Sequence, residues 1–189
     1  MKNILFVDAT VRDNSRTREI AIHLVRKLNG NVQKLKLIEE NIPKTCNDLL
    51  EFRSKASETE NFDSWYFKYA KQFRDADYIV IAAPYWDFSF PAILKLYFEA
   101  ISIDNLTFRY NDGVCEGLCN GKKLYYVTTC GGPFIGPEFS SGYIKMLTNG
   151  MLGVKDFKCF AAENLDIAGA DVEKIVNDAK EAINREIRY

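Results

Sequence analysis

Short unbroken apolar runs alternate along this chain with stretches in which apolar residues recur every three or four positions, and the two patterns predict strands and helices in turn. Asn3 to Asp8, with Ile4, Leu5, Phe6 and Val7 consecutive, predicts a buried strand ended by a polar loop from Ala9 to Asn14. The next helix carries Ile20, Leu24, Val25 and Leu28 on one stripe, has Ser15 or Asn14 as its cap, and stops at Gly30. Val32 to Leu37 alternates as a second strand. Glu39 to Asn61 is polar, contains Pro43, and supports only a short helix around Leu49 to Phe52. Asp63 is placed to cap a helix with Trp65, Tyr69, Ala70 and Phe73 inside, and Tyr78 to Ala83 is an uninterrupted strand that wants helices on both sides. Pro91 fits the first turn of a helix with the stripe Ile93, Leu94, Tyr97, Phe98 and Ile101. A loop with Asp112-Gly113 and Gly117 follows. The rest predicts a strand (Leu124 to Thr129), a helix (Phe139 to Leu152), a strand (Phe157 to Ala161) and a terminal amphipathic helix (Asp171 to Ile187).

Five strands alternating with helices imply right-handed crossovers. They predict an α/β fold: a doubly wound five-stranded parallel sheet, order 2-1-3-4-5, with helices on both faces. No repeat or linker divides the 189 residues, so a single domain over residues 1–189 is expected. In that topology the chain reverses direction between the first and third strands, and ligands collect outside the carboxyl ends there. Three loops, Ala9 to Thr17, Pro84 to Ser89 and Cys130 to Pro137, should meet at that crevice.

Composition narrows the functional classes. A net charge of -1 argues against a broad basic surface for nucleic acid. No run approaches the ~20 apolar residues of a membrane span. The apolar opening, Met1 to Val7, is followed at once by Asp8, Arg12, Asp13, Arg16 and Arg18, which leaves no room for a signal-peptide core, so a cytoplasmic protein is expected. Cysteines at 46, 115, 119, 130 and 159 lack zinc-type pairing, which predicts reduced thiols and no metal site. Cys115 and Cys119, without histidine partners, are expected to be structural. The lone His23 sits on the first helix, away from the three loops, and argues against a histidine-dependent triad.

The first loop is rich in hydroxyls and runs into a helix start, where orphan amides, Ser15, Thr17 and the Arg16 charge would favour a phosphate. The alternative is an ordinary N-cap with a solvated charged turn; the switch-point position favours the anion site. No Gly-rich dinucleotide fingerprint and no Walker-type Gly-Lys-Ser/Thr occurs, which points to a mononucleotide held by hydroxyl-bearing side chains. Tyr85, Trp86 and Phe88 in the second loop offer stacking surfaces for a planar ligand, or else pack against the following helix. Gly131 and Gly132 permit close backbone approach, or mark a turn leaving the strand.

Two blocks carry a family resemblance. The run Ala82-Ala83-Pro84-Tyr85-Trp86-Asp87-Phe88-Ser89-Phe90-Pro91-Ala92-Ile93-Leu94-Lys95 is one; Thr107-Phe108-Arg109-Tyr110, followed by Glu116-Gly117-Leu118 and Gly121-Lys122-Lys123, is the other. In their order and spacing they resemble the FMN-dependent NAD(P)H azoreductases and quinone reductases of the flavodoxin-like superfamily, over nearly the whole chain except Glu39 to Asn61. The resemblance implies that Thr10, Ser15, Arg16 and Thr17 form the phosphate loop and that the flavin ring lies on Pro84, Tyr85, Trp86, Asp87 and Phe88. Thr129, Cys130, Gly131 and Gly132 would face the pyrimidine side of the ring, and Tyr110 would reach toward the substrate space. It also implies a homodimer with the site near the interface. The family usually has Asn where this chain has Asp87, and commonly Arg where it has Cys130. An ionised Asp87 beside a reduced anionic flavin would disfavour reduction, which leaves a low potential, a raised Asp87 pKa or a turned-away side chain.

The expected activity is therefore hydride transfer from NADH or NADPH to FMN, followed by ping-pong delivery to a flat acceptor such as a quinone, azo compound or nitroaromatic. The flavin carries the chemistry, and no side chain is needed as catalytic acid or base. A flavodoxin-like electron carrier is the first rival; the near-neutral charge and the aromatic rim speak against it. A phosphoacceptor signalling domain is the second, and it needs an aspartate where the third strand here ends in Ala83-Pro84.

Overall fold

The computed structural model describes residues 1–187; residues 188 and 189, part of the expected single unit, lie outside the described residues. The elements are β1 (Asn3–Asp8), α1 (Arg16–Leu28), β2 (Asn31–Lys36), α2 (Asn47–Glu58), α3 (Lys68–Asp75), β3 (Tyr78–Ala82), α4 (Ala92–Ile101), β4 (Phe108–Asn111), β5 (Val114–Gly117), β6 (Lys123–Thr129), α5 (Ser141–Gly150), β7 (Asp156–Ala162) and α6 (Val172–Glu186). The main sheet is parallel, in the order β2-β1-β3-β6-β7. With the β4–β5 hairpin set apart, this is the predicted 2-1-3-4-5.

Alternation along the central strands splits the core between the two faces of the sheet. Leu5, Val7, Ile79, Ile81, Leu124 and Tyr126 pack with Tyr69 and Phe73 of α3 and with Leu94, Tyr97 and Phe98 of α4. Ile4, Phe6, Val80, Tyr125 and Val127 face the other way, onto Ile20 and Leu24 of α1 and Val176 and Ile183 of α6. His23 joins these last two helices through Asn184 at 2.9 Å, as a boundary residue. The Tyr97 side chain is fully buried, and its hydroxyl has no hydrogen-bond partner among the described residues. Leaving a hydroxyl unsatisfied in such a place costs about 1–3 kcal/mol. Tyr97→Phe should accordingly raise the melting temperature by about 2–4 °C, roughly 1 kcal/mol for a chain of this size; a fall in thermal denaturation would mean that the oxygen has a partner.

The structure departs from expectation in the polar stretches. α2 runs twelve residues, well beyond Leu49 to Phe52, because it buries only Ala56 and Ser57 and therefore leaves little apolar stripe to read. The expected loop around Asp112-Gly113 is an antiparallel hairpin, Phe108–Asn111 with Val114–Gly117. Both turn residues have positive φ, 49° and 78°, as a two-residue hairpin turn requires. Ser64, not Asp63, caps the segment before α3, which opens as a 3-10 turn at Trp65–Phe67, and Trp65 is exposed. Pro91 is the N-cap of α4, one residue before the helix starts. The predicted Phe139 to Leu152 helix divides into a 3-10 turn, Pro137–Phe139, and α5.

Candidate functional site

At the carboxyl end of β1 the chain makes the hydroxyl-rich loop and enters α1. Ser15 caps the helix, its Oγ accepting from the Arg18 amide at 3.2 Å. The helix ladder begins with the Glu19 amide donating to the Ser15 carbonyl at 3.0 Å. The amides of Arg16 and Thr17 thus precede the ladder at the positive end of the helix dipole. Thr17 Oγ1 lies 2.6 Å from Thr129 Oγ1, which ties this loop to the end of β6. Arg16 Nη1 lies 3.4 Å from Asp166 Oδ1. Beneath the loop Asp8 is fully buried, and it accepts from the Thr10 amide (3.1 Å), Thr10 Oγ1 (2.6 Å) and Arg18 Nε (2.7 Å).

The second loop is a tight turn in which Trp86 and Ser89 exchange backbone bonds of 3.0 and 2.8 Å. Its central residues, Asp87 and Phe88, have φ of 51° and 62°. That conformation suits Asp but strains a bulky Phe, and such strain clusters at functional sites. Trp86 and Phe88 are both exposed. Asp87 is exposed at the turn tip.

The third loop is braced against the second. Tyr85 donates through its hydroxyl to the Ile135 carbonyl, stacks edge-on against Phe134 at 4.9 Å, and bonds through its amide to the Thr129 carbonyl at 3.0 Å. Ser89 Oγ donates to the Phe139 carbonyl at 2.8 Å. A fourth loop, after β7, completes the bracing. The amides of Asn164, Leu165 and Asp166 donate to the carbonyls of Gly132, Cys130 and Gly131 at 2.9, 3.1 and 2.9 Å, and Glu163 Oε2 accepts from the Phe134 amide at 2.7 Å. A Cβ on Gly131 would stand 2.5 Å from Asp166 Oδ2, so a larger residue there would displace the exposed Asp166 carboxylate from its place beside Arg16.

Together the loops enclose a cleft of about 240 Å³. It gathers Thr10, Ser15, Arg16, Thr17, Pro84, Tyr85, Trp86, Thr129, Cys130 and Gly131, as the sequence led us to expect. Val11, Arg12, Asn14, Leu165 and Asp166 line it as well. Leu165 and Asp166 come from the loop after β7, outside the three predicted loops; in a parallel sheet every strand releases its loop at the same edge, so the last strand is the sequence signal for them. Asp87, Phe88, Gly132 and Tyr110 lie outside the lining. Tyr110 is exposed on β4, edge-on to Phe108 at 5.9 Å. A larger surface cleft of about 420 Å³ runs along β7 and α6, away from any helix start or aromatic rim.

Cys130 is buried, and burial, with the Glu163 charge adding to it, pushes its thiol up to about 12. At neutral pH the thiol is therefore held protonated. Burial likewise pushes Cys119 up to about 12. The Tyr85 hydroxyl is raised by burial first, then by Cys130 and Glu138.

The donor set has two ends. One offers helix-start amides, two hydroxyls and the guanidinium groups of Arg12 and Arg16; the other offers Pro84 and the rings of Tyr85 and Trp86. Charge and hydrogen-bond donors at one end with flat apolar walls at the other fit a phosphorylated planar cofactor such as FMN. A model of the family described as "Flavodoxin-like fold" matches residues 2–187. The chain belongs to this flavodoxin-like family. Within it the relatives are oxidoreductases by name. The FMN-dependent NADH:quinone oxidoreductase of Lachnoclostridium phytofermentans is 36% identical over 96% of each chain. FMN-dependent NADH:quinone oxidoreductase 2 of Clostridium acetobutylicum is 35% identical over the same shares. Among solved flavodoxin-like structures, an azoreductase from Bacillus anthracis superposes with a TM-score of 0.84 over 99% of each chain at 22% identity. An FMN-dependent NADH-azoreductase from the same species, solved in complex with FMN, gives 0.80 over 100% of each chain at 20% identity. At those identities the structures share the flavodoxin-like fold, while the two curated relatives place this chain among the FMN-dependent NADH:quinone oxidoreductases. Among the described residues no helix is long and apolar enough to cross a membrane, and no cluster of ligating side chains is arranged for a metal.

Proposed function

We propose that this chain, acting as one domain, is an FMN-dependent oxidoreductase that uses NADH to reduce flat acceptors: quinones, with azo compounds and nitroaromatics suited to the same chemistry. The observation that carries this reading is the union, in one cleft, of the α1 helix start with the aromatic rim. FMN, when bound, supplies the capacity to take a hydride and pass on the electrons. The chain holds and orients it. Ser15, Arg16, Thr17 and Arg12 take the phosphate, through hydroxyls, amides and positive charge. Pro84, Tyr85 and Trp86, with the Asp87-Phe88 turn beside them, form the wall for the ring. Thr129, Cys130, Gly131 and Gly132 present backbone groups to its polar edge. Trp86 and Phe88 exclude water from one face, and Tyr110 marks the acceptor side, which a second copy of the chain would close in a homodimer. NADH and the acceptor use the same place beside the ring in turn, so NADH leaves before the acceptor enters, a ping-pong order. We place the protein in the cytoplasm, where free thiols such as those of its five cysteines persist.

The test is spectroscopic. FMN-loaded protein, mixed anaerobically with NADH alone, should lose its flavin absorbance and regain it on adding a quinone. Initial rates at several fixed quinone levels should give parallel double-reciprocal lines. Bleaching that required a second protein would favour a carrier, and a chain that ignored added FMN would remove the proposal.

A further inference from the structure

We propose that Asp8 and Arg18 form a buried positioning pair that gives the first loop its preference for anions, with Thr10 as a tether of that pair; this rests on the phosphate reading of the loop above. A carboxylate fully buried at the end of β1 must be paired and hydrogen-bonded to be tolerated. Asp8 meets this with both oxygens: Oδ1 takes the Thr10 amide and hydroxyl, and Oδ2 takes Arg18 Nε at 2.7 Å. The rest of the Arg18 guanidinium reaches the loop itself, with Nη1 donating to the Asp13 carbonyl at 3.0 Å and Nη2 to the Thr10 carbonyl at 3.4 Å.

The consequence concerns which backbone groups face the cleft. A loop that holds a phosphate must turn its N–H groups toward the ligand and its carbonyls away. Arg18 takes two of those carbonyls from behind. It also neutralises Asp8, whose bare charge would otherwise lie beneath a dianion. The two arginines of the Ser15-Arg16-Thr17-Arg18 run therefore differ in task. The Arg16 side chain is 45% exposed at the mouth, whereas that of Arg18 is 13% exposed and turned to the strand. Thr10 gives its hydroxyl proton to Asp8, which leaves that hydroxyl only lone pairs. It is a poor partner for phosphate and a good anchor for the loop. Three donors at fixed angles are used at once, so the planar fork matters as well as the charge.

Flavin fluorescence titrations of the full chain with FMN and with riboflavin separate this role from mere structural support, because the ligands differ only in the phosphate. The wild type should prefer FMN. In Arg18→Gln, FMN affinity should fall roughly 100-fold while riboflavin affinity stays within about 3-fold. Asp8→Asn/Arg18→Gln should recover about 10-fold of the loss, because the uncompensated carboxylate is gone. Arg18→Lys keeps the charge without the fork, and should fold while losing about 10-fold in the FMN-to-riboflavin ratio. Equal losses for both ligands, an unchanged ratio in Arg18→Lys, or no recovery in the double variant would each overturn the proposal. A wild type that bound riboflavin as tightly as FMN would instead sink the phosphate reading itself, and the pair's role with it.

Discussion

Arg16→Glu is expected to weaken FMN binding by about two orders of magnitude or more and to leave the ligand-free protein's melting temperature within about 2 °C of the wild type. Arg16 opens α1 and ends at the mouth of the cleft. A charge-assisted bond to a phosphate contributes about 1.5–3 kcal/mol. Reversal also sets a second carboxylate beside Asp166, the present partner of Arg16, so two negative groups would face the incoming dianion. Stability should hardly respond. The Arg16–Asp166 pair is exposed, and such pairs contribute about 0–1 kcal/mol. A glutamate in the first helical turn is moreover favoured by the dipole. The affinity gap between variant and wild type should narrow as salt rises, since both charges are open to screening. Undiminished FMN affinity at low salt would mean that the phosphate does not sit at this helix start.

What was legible in the sequence follows from burial. β1, β3 and β6 are covered on both faces, so Ile4 to Val7, Tyr78 to Ala83 and Leu124 to Thr129 are written as near-continuous apolar runs. From them the topology, the crevice and its three loops follow by rules of connection alone. α2 and the β4–β5 hairpin are mostly exposed, and an exposed element leaves no periodic trace for a reader to find. The site divides the same way. Ser15, Arg16 and Thr17 were visible because a helix start announces its own anion chemistry. Asp8 closes the predicted first strand, and neither its full burial nor its reach to Arg18, ten residues on, has a sequence signature. Asp166 comes to the cleft from 150 residues away, a distance only the sheet can bridge.

Gly117→Ala is expected to destabilise the fold by about 3 kcal/mol and to lower the melting temperature by roughly 6–12 °C. Gly117 ends β5 where the hairpin lies flat against the chain between α5 and β7. A Cβ there would stand 2.1 Å from the Gly153 nitrogen and 2.3 Å from both Gly153 Cα and the Leu152 carbonyl carbon. All three are backbone atoms, so no rotamer change relieves the overlap. Gly153 is itself held at φ 82°, which limits how far that segment yields. The hairpin must lift, and lifting it strains the Cys119 amide bond to the Leu152 carbonyl (3.1 Å) and opens the cover over the fully buried Leu152. Hydrogen exchange at Leu118 and Cys119 will tell local peeling from general weakening, because both amides anchor the hairpin's exit. Peeling should also raise the KM for quinone more than it lowers kcat, since Tyr110, proposed above for the acceptor side, rides on the same hairpin. Gly132→Ala is the control: nothing lies within 4 Å of the added methyl, and stability should stay within about 0.5 kcal/mol. If Gly117→Ala melted like that control, the backbone contact between the hairpin and Gly153 would not exist in solution.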